Sequence, residues 1–195
     1  MQEIDYHVIK RSLSGADDEC GDTGLVREHD NQCFMALIDA LGHGKEAFDV
    51  AVLAERYLAA HYKDDLTALL KGLHGNLQGT RGAVAAACRL NCNTGILKYS
   101  GVGNISSKLF GSKTKRLITR EGILGYMIPS PTESQVKLYP GDILIMSSDG
   151  IREHFDLIDF PEILMGNARD ISTAFIDELG KNNDDASCIA LRYGI

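Results

Sequence analysis

The sequence predicts an α+β fold dominated by antiparallel sheet, and three observations carry that reading. Strand-like runs cluster, the helical patterns come as an adjacent pair and then once more near the C-terminus, and the connections are short. A doubly wound parallel sheet would instead alternate strand and helix throughout. The 195 residues show no internal repeat, low-complexity linker or compositional break, so a single domain over 1–195 is expected.

Each element has its own signal. Ile4, Tyr6 and Val8 alternate with polar neighbours, the period of a half-buried strand. A loop rich in Ser, Gly and Asp follows, S-L-S-G-A-D-D-E-C-G-D. T-G-L-V-R-E and Q-C-F-M-A-L-I-D read as a strand pair joined by E-H-D-N, the second strand ending at Asp39. After Gly44 the period changes: Ala47, Val50, Ala51, Ala54 and Leu58 fall on one face of a helix reaching about Tyr62. Asp64 or Asp65 caps a second helix, which Gly72 and Gly75 are expected to end. The strands A-V-A-A-A-C-R-L and I-L-K-Y-S-G-V-G are joined by the turn N-C-N-T-G. Short strands then follow at S-K-L-F, K-R-L-I-T, Q-V-K-L-Y and D-I-L-I-M-S-S. A helix at I-S-T-A-F-I-D-E-L-G and a strand at A-S-C-I-A-L-R-Y complete the chain.

Composition narrows the function classes. Hydrophobic residues at 44% and charged residues at 24% are a globular balance. A net charge of -7 without any Lys/Arg cluster argues against nucleic-acid binding. There is no apolar run of about 18 residues and no basic-then-apolar leader, so no membrane association is expected and a cytoplasmic protein is. The five cysteines are odd in number and scattered through apolar runs, which fits reduced core thiols. Cys88 and Cys92 lack further ligands at the spacing zinc requires.

Chemistry is signalled where aspartates meet strand ends. Asp39 closes an apolar strand and is followed by Gly42, His43 and Gly44; Asp149-Gly150 follows D-I-L-I-M-S-S; Asp184 and Asp185 precede the last strand; Asp22 follows Gly21. Each alone reads as a turn, because Asp and Gly are common turn residues. Together they would converge at one edge of a core, where several carboxylates need a cation to neutralise them. Oxygen donors suit Mg²⁺ or Mn²⁺ rather than Zn²⁺.

The series G-D, D-A-L-G-H-G, G-T-R-G-A-V, Y-S-G-V-G-N, L-Y-P-G-D-I-L-I-M-S-S-D-G-I-R-E and D-D-A-S resembles the metal-dependent PPM family of protein serine/threonine phosphatases, in its bacterial SpoIIE/RsbX branch. Order and spacing agree from about residue 14 to 193. The resemblance implies a four-layer αββα sandwich, two antiparallel sheets flanked by helices. It also implies two Mn²⁺ or Mg²⁺ ions, which activate a water for attack at phosphorus and so dispense with a Ser or Cys nucleophile. By the same resemblance Asp39 is catalytic and bridges the metals, the Ala40 carbonyl serves the second ion, Asp149 and Asp184 complete the first, and Asp22 reaches the second directly or through water. His43 is a candidate general acid for the leaving oxygen. The eukaryotic branch carries its histidine two residues after the bridging aspartate, where Leu41 stands here, so a loop-ordering or solvent-facing His43 is the competing reading. Arg81 is a candidate phosphate contact, with structural use as its alternative. The implied partners are phosphorylated STAS-domain proteins of the bacterial stressosome, met by loops such as residues 122–133. A pseudo-phosphatase that binds without turnover and a small-phosphoester hydrolase are the other readings.

Overall fold

The computed structural model describes residues 2–16 and 19–194; Asp17 and Asp18, in the Ser/Gly/Asp loop, lie outside the described residues. In chain order the elements are β1 (Ile4–Arg11), β2 (Asp22–His29), β3 (Gln32–Ala40), α1 (Lys45–His61), α2 (Leu66–Asn76), β4 (Ala83–Asn91), β5 (Ile96–Val102), β6 (Ser106–Phe110), β7 (Lys115–Leu117), β8 (Ser134–Lys137), β9 (Ile143–Ser147), α3 (Ala168–Leu179) and β10 (Ala186–Tyr193). They form two five-stranded sheets, ordered β1-β10-β9-β6-β7 and β2-β3-β4-β5-β8. All the pairings are antiparallel.

Three hydrophobic clusters define four layers. Cys33, Met35 and Leu37 of β3 meet Leu144, Met146, Ile189 and Leu191 of the other sheet in the middle layer. The alternate residues of β3, Phe34, Ala36, Ile38 and Ala40, face α1 and α2 instead. On the far side α3 lays Ile171, Phe175 and Leu179 over Ile143, Ile145, Cys188 and Ala190. Strands covered on both faces lose the apolar/polar alternation, which is why β3, β4 and β9 read as unbroken apolar runs. Ala83, Ala85 and Ala87 of β4 all face the helices, and these small side chains let α1 and α2 lie close.

Local chemistry sets the boundaries. The β2–β3 hairpin turns on Asp30 and Asn31, both at positive φ (47° and 61°), the signature of a two-residue primed turn. Asp65 caps α2, accepting from the N–H groups of Thr67 and Ala68, an arrangement worth about 1 kcal/mol. The expected end of α2 at its glycines is not observed: the helix runs through Gly72 and Gly75 to Asn76. Tertiary packing overrides propensity there, because a Cβ on Gly72 would stand 1.8 Å from Tyr57 Oη of α1. The five cysteines are buried free thiols, as expected of core residues.

β1 clamps both ends of α3. Asp5 Oδ2 accepts from the Ala168 N–H at 2.6 Å, and Arg11 donates to the carbonyls of Ile176 and Lys181 at the helix C-terminus.

Candidate active site

The register of the hairpin creates the site. Asp22 and Asp39 are direct cross-strand partners, so their side chains share one face of the sheet. On β3 that face is set by Cys33, Met35 and Leu37, which point into the space between the sheets, so Asp39 points the same way where the apolar filling ends. The opposing sheet supplies Asp149 from the turn after β9 and Asp184 from the bend before β10. Asp39, Asp149 and Asp184 line one cleft of about 540 Å³, with His43, Asn104 and Glu121 also on its walls.

Close backbone approaches hold the two loops of the second sheet together. A Cβ on Gly150 would lie 1.8 Å from the Asp185 carbonyl oxygen, so this glycine lets the Asp149 turn pack directly on the Asp184–Asp185 bend. The buried Asp185 carboxylate accepts from the N–H groups of Leu13 and Gly21, each at 2.7 Å, and its own N–H donates to Asp184 Oδ1 at 2.9 Å. Asp185 therefore orients its neighbour and ties the start of β2 to the bend before β10. Asp142, by contrast, accepts from the Tyr139 N–H at 2.9 Å and shapes the turn entering β9.

Electrostatics mark the cleft as deficient in positive charge. Burial, followed by the charges of Asp22, Asp149, Asp184 and Asp185, pushes the Asp39 carboxyl up to about 9. Burial also pushes Asp22 up to about 7, an effect the Ser148 and Ser187 hydroxyls oppose and Asp185 and Asp149 reinforce. Asp184 is raised as well, first by burial and then by Asp149. Asp22 Oδ2 is buried without a hydrogen-bond partner. A divalent cation would satisfy that oxygen and replace the protons these carboxyls otherwise hold. Gly21 leaves room beside it, since a Cβ there would crowd the Gly42 and Ala40 carbonyl oxygens at 3.2 and 3.4 Å. The donor set is carboxylate and carbonyl oxygen, which fits Mg²⁺ or Mn²⁺. Among the described residues no three Asp, Glu, His or Cys side chains close around one point as a ready-made cage; the donors ring an open cleft.

The remaining candidates are placed differently. Gly42 and Gly44 adopt positive φ (84° and 79°), giving the sharp turn expected after Asp39. They leave His43 exposed at the cleft's lip, immediately before α1. Arg81 stacks its guanidinium over Gly42 and pairs with Glu46 at 3.6 Å. It thereby packs against the loop, and it is not among the residues that line the cleft. Asn104, which donates to Asp149 Oδ2 at 2.9 Å, and the serines near Asp22 lie within the quoted motifs, but the motifs assign them no role. Strand parity could have found the serines: Ser148 follows Leu144 and Met146, and Ser187 precedes Ile189 and Leu191, on the inward face.

Two antiparallel sheets, flanking helices and an acidic cleft at one mouth of the sandwich give the chain the fold of PP2C-type phosphatase domains. The family model Stage II sporulation protein E (SpoIIE) matches residues 29–194, and the chain belongs to that family. Phosphoserine phosphatase RsbX of Bacillus subtilis (strain 168) is 23% identical over 105 residues, 54% of this chain and 51% of that protein; the match spans about half the length of that relative. A solved chain described under the bacterial stressosome, as a modular system adapted to control secondary messenger signalling, is 28% identical and covers 98% of this chain and 100% of its own, with a TM-score of 0.90. A crystal structure of RsbX in complex with magnesium shares the fold at 19% identity, covering 97% of this chain and 94% of that one, with a TM-score of 0.83. None of the described helices is long and apolar enough to cross a membrane.

Proposed function

We propose that the protein removes phosphate from phosphoserine or phosphothreonine of STAS-domain proteins in a stressosome-type assembly, as a cytoplasmic enzyme of bacterial stress signalling. The observation that carries the reading is the convergence of Asp39, Asp149 and Asp184 from two facing sheets on one cleft, with Asp22 buried opposite Asp39 in the hairpin. The substrate class draws on the likeness to RsbX, a phosphoserine phosphatase, and to the stressosome-related chain.

In this reading Asp22, Asp39, the Ala40 carbonyl, Asp149 and Asp184 would hold two Mn²⁺ or Mg²⁺ ions. When bound, these ions supply an activated water and neutralise charge developing on the phosphoryl group. Asp39 feels the charges of Asp22 from its own sheet and of Asp149 and Asp184 from the other, and would be the carboxylate shared by both ions. Among the described residues that line the cleft there is no Ser, Thr or Cys to serve as a nucleophile. His43 lines the cleft at its lip, where it is a candidate proton donor for the leaving oxygen, with a solvent-facing, loop-ordering role as the competing reading. Segment 122–133 starts in the cleft wall at Gly122 and Ile123 and exposes Tyr126 and Met127, an apolar platform suited to a protein substrate.

Phosphate release from a phosphorylated STAS protein incubated with Mn²⁺ tests the proposal. Release is expected, EDTA is expected to abolish it, and Asp149→Ala is expected to lose it while remaining folded. Tight binding of the phosphoprotein without release would point to a pseudo-phosphatase. Release from small phosphoesters alone would point to a small-molecule hydrolase.

A further inference from the structure

Asp149 differs from the other carboxylates of the cleft in how it is held. Asp22 and Asp39 belong to strands, and Asp184 accepts from the Asp185 N–H. Asp149 is exposed on a turn, and among the described residues its side chain is held by Asn104, whose Nδ2 donates to Asp149 Oδ2 at 2.9 Å. A carboxylate only accepts, so the amide presents its NH₂ group to it, adding a donor without adding charge to a crowded acidic cleft.

The turn that carries Asn104, between β5 and β6, is itself pinned. The Gly103 N–H donates to the Arg120 carbonyl at 2.8 Å, and Thr119 Oγ1 donates to the Gly103 carbonyl. At Gly103 φ is 98° and a Cβ would stand 2.1 Å from Val84 Cγ1, so glycine is what lets this turn sit against β4. Directly after Arg120, residues Glu121, Gly122 and Ile123 form part of the cleft wall.

We infer that Asn104 is a positioning residue that sets the side-chain orientation of Asp149 for a divalent cation and, through Gly103 and Thr119, ties that carboxylate to the wall a protein substrate would meet. The inference rests on the reading of Asp149 as a metal ligand. A carboxylate already held in place gives up less conformational freedom when it binds, and partners one step out from a metal's ligands govern affinity for this reason.

Calorimetric titration of Mn²⁺ into metal-stripped protein tests it, with wild type, Asn104→Ala, Thr119→Val and Asp149→Ala compared. Asn104→Ala is expected to weaken Mn²⁺ binding roughly 10- to 100-fold while the metal-free melting temperature stays unchanged. Thr119→Val is expected to shift affinity in the same direction by less. Mn²⁺ affinity in Asn104→Ala within about twofold of wild type would overturn the positioning role, since loss of such a partner costs more. If wild type takes up no Mn²⁺, or Asp149→Ala binds like wild type, the ligand reading itself fails and the positioning role falls with it.

Discussion

The two sheets contribute to the cleft by different means. One sheet offers Asp22 and Asp39 as cross-strand partners within a hairpin, their positions fixed by backbone register and their carboxyls partly or fully buried. The other offers Asp149 and Asp184 from loops, steered by Gly150, Asp185 and Asn104. The strand pair bears the electrostatic cost of burial, and the loop pair bears the cost of ordering. A cation relieves the first and profits from whatever reduces the second.

The sharpest way to separate these roles is Asp39→Asn, for which activity and stability should move in opposite directions. Phosphate release is expected to fall by more than the roughly 100-fold that follows loss of an outer partner. In EDTA, however, the variant should melt higher than wild type, because it removes a buried, mutually repelled carboxyl whose neutrality the fold must otherwise maintain. Asp149→Ala, on the exposed side, should lose activity without that gain.

The same asymmetry sets a pH dependence. Asp39 and Asp22 titrate at about 9 and about 7 in the metal-free fold against an ordinary 3.8. The folded state then binds more protons than the unfolded chain, so stability falls as pH rises from about 4 towards 9. Thermal melts from pH 5 to 9 in EDTA should show this decline. With saturating Mn²⁺ or Mg²⁺ the decline should shrink, because the ions displace the protons and bind best where the carboxyls are ionised. Parallel curves with and without metal would count against a shared carboxylate site.

A smaller effect tests the loop half. Gly150→Ala places a methyl group 1.8 Å from the Asp185 carbonyl, a backbone atom that cannot rotate away. The cost is expected to be about 1–3 kcal/mol in a urea melt, typical of overpacking. Because the turn must shift, Asp149 should move away from Asp184, and Mn²⁺ affinity should drop alongside stability. Loss of stability with unchanged affinity would show that the loop pair tolerates looser spacing than the strand pair.

Much of this division is legible in the residues themselves. Period-two alternation and the change of period after Gly44 placed the strands and α1, and an apolar run ending in Asp marked Asp39 and Asp149. Asp22 gave a weaker signal because its meaning lies in being opposite Asp39, a matter of register. Other features depend on contacts distant in sequence. Gly72 reads as a helix stop until Tyr57 is laid against it, and the contacts of Arg81 with Gly42 and Glu46 cannot be read from its motif. Asn104 is one polar residue in a short turn, and nothing local tells that it reaches Asp149, 45 positions away.

His43 offers the smallest expected change and a clear choice between two roles. It is exposed between two glycines at positive φ, at the lip of the cleft. A general acid that delivers the proton to the leaving oxygen contributes roughly 10²–10⁴-fold, so its loss should be large and should flatten one limb of the pH–rate profile. A histidine that merely occupies the lip should leave both nearly intact. The four-residue spacing from Asp39 and the exposed setting favour the second outcome. His43→Ala is therefore expected to retain turnover well short of a roughly 100-fold loss, with its pH–rate profile and metal affinity unchanged. A loss of that size with metal affinity intact would instead place proton delivery on the α1 side of the cleft, next to the strand pair.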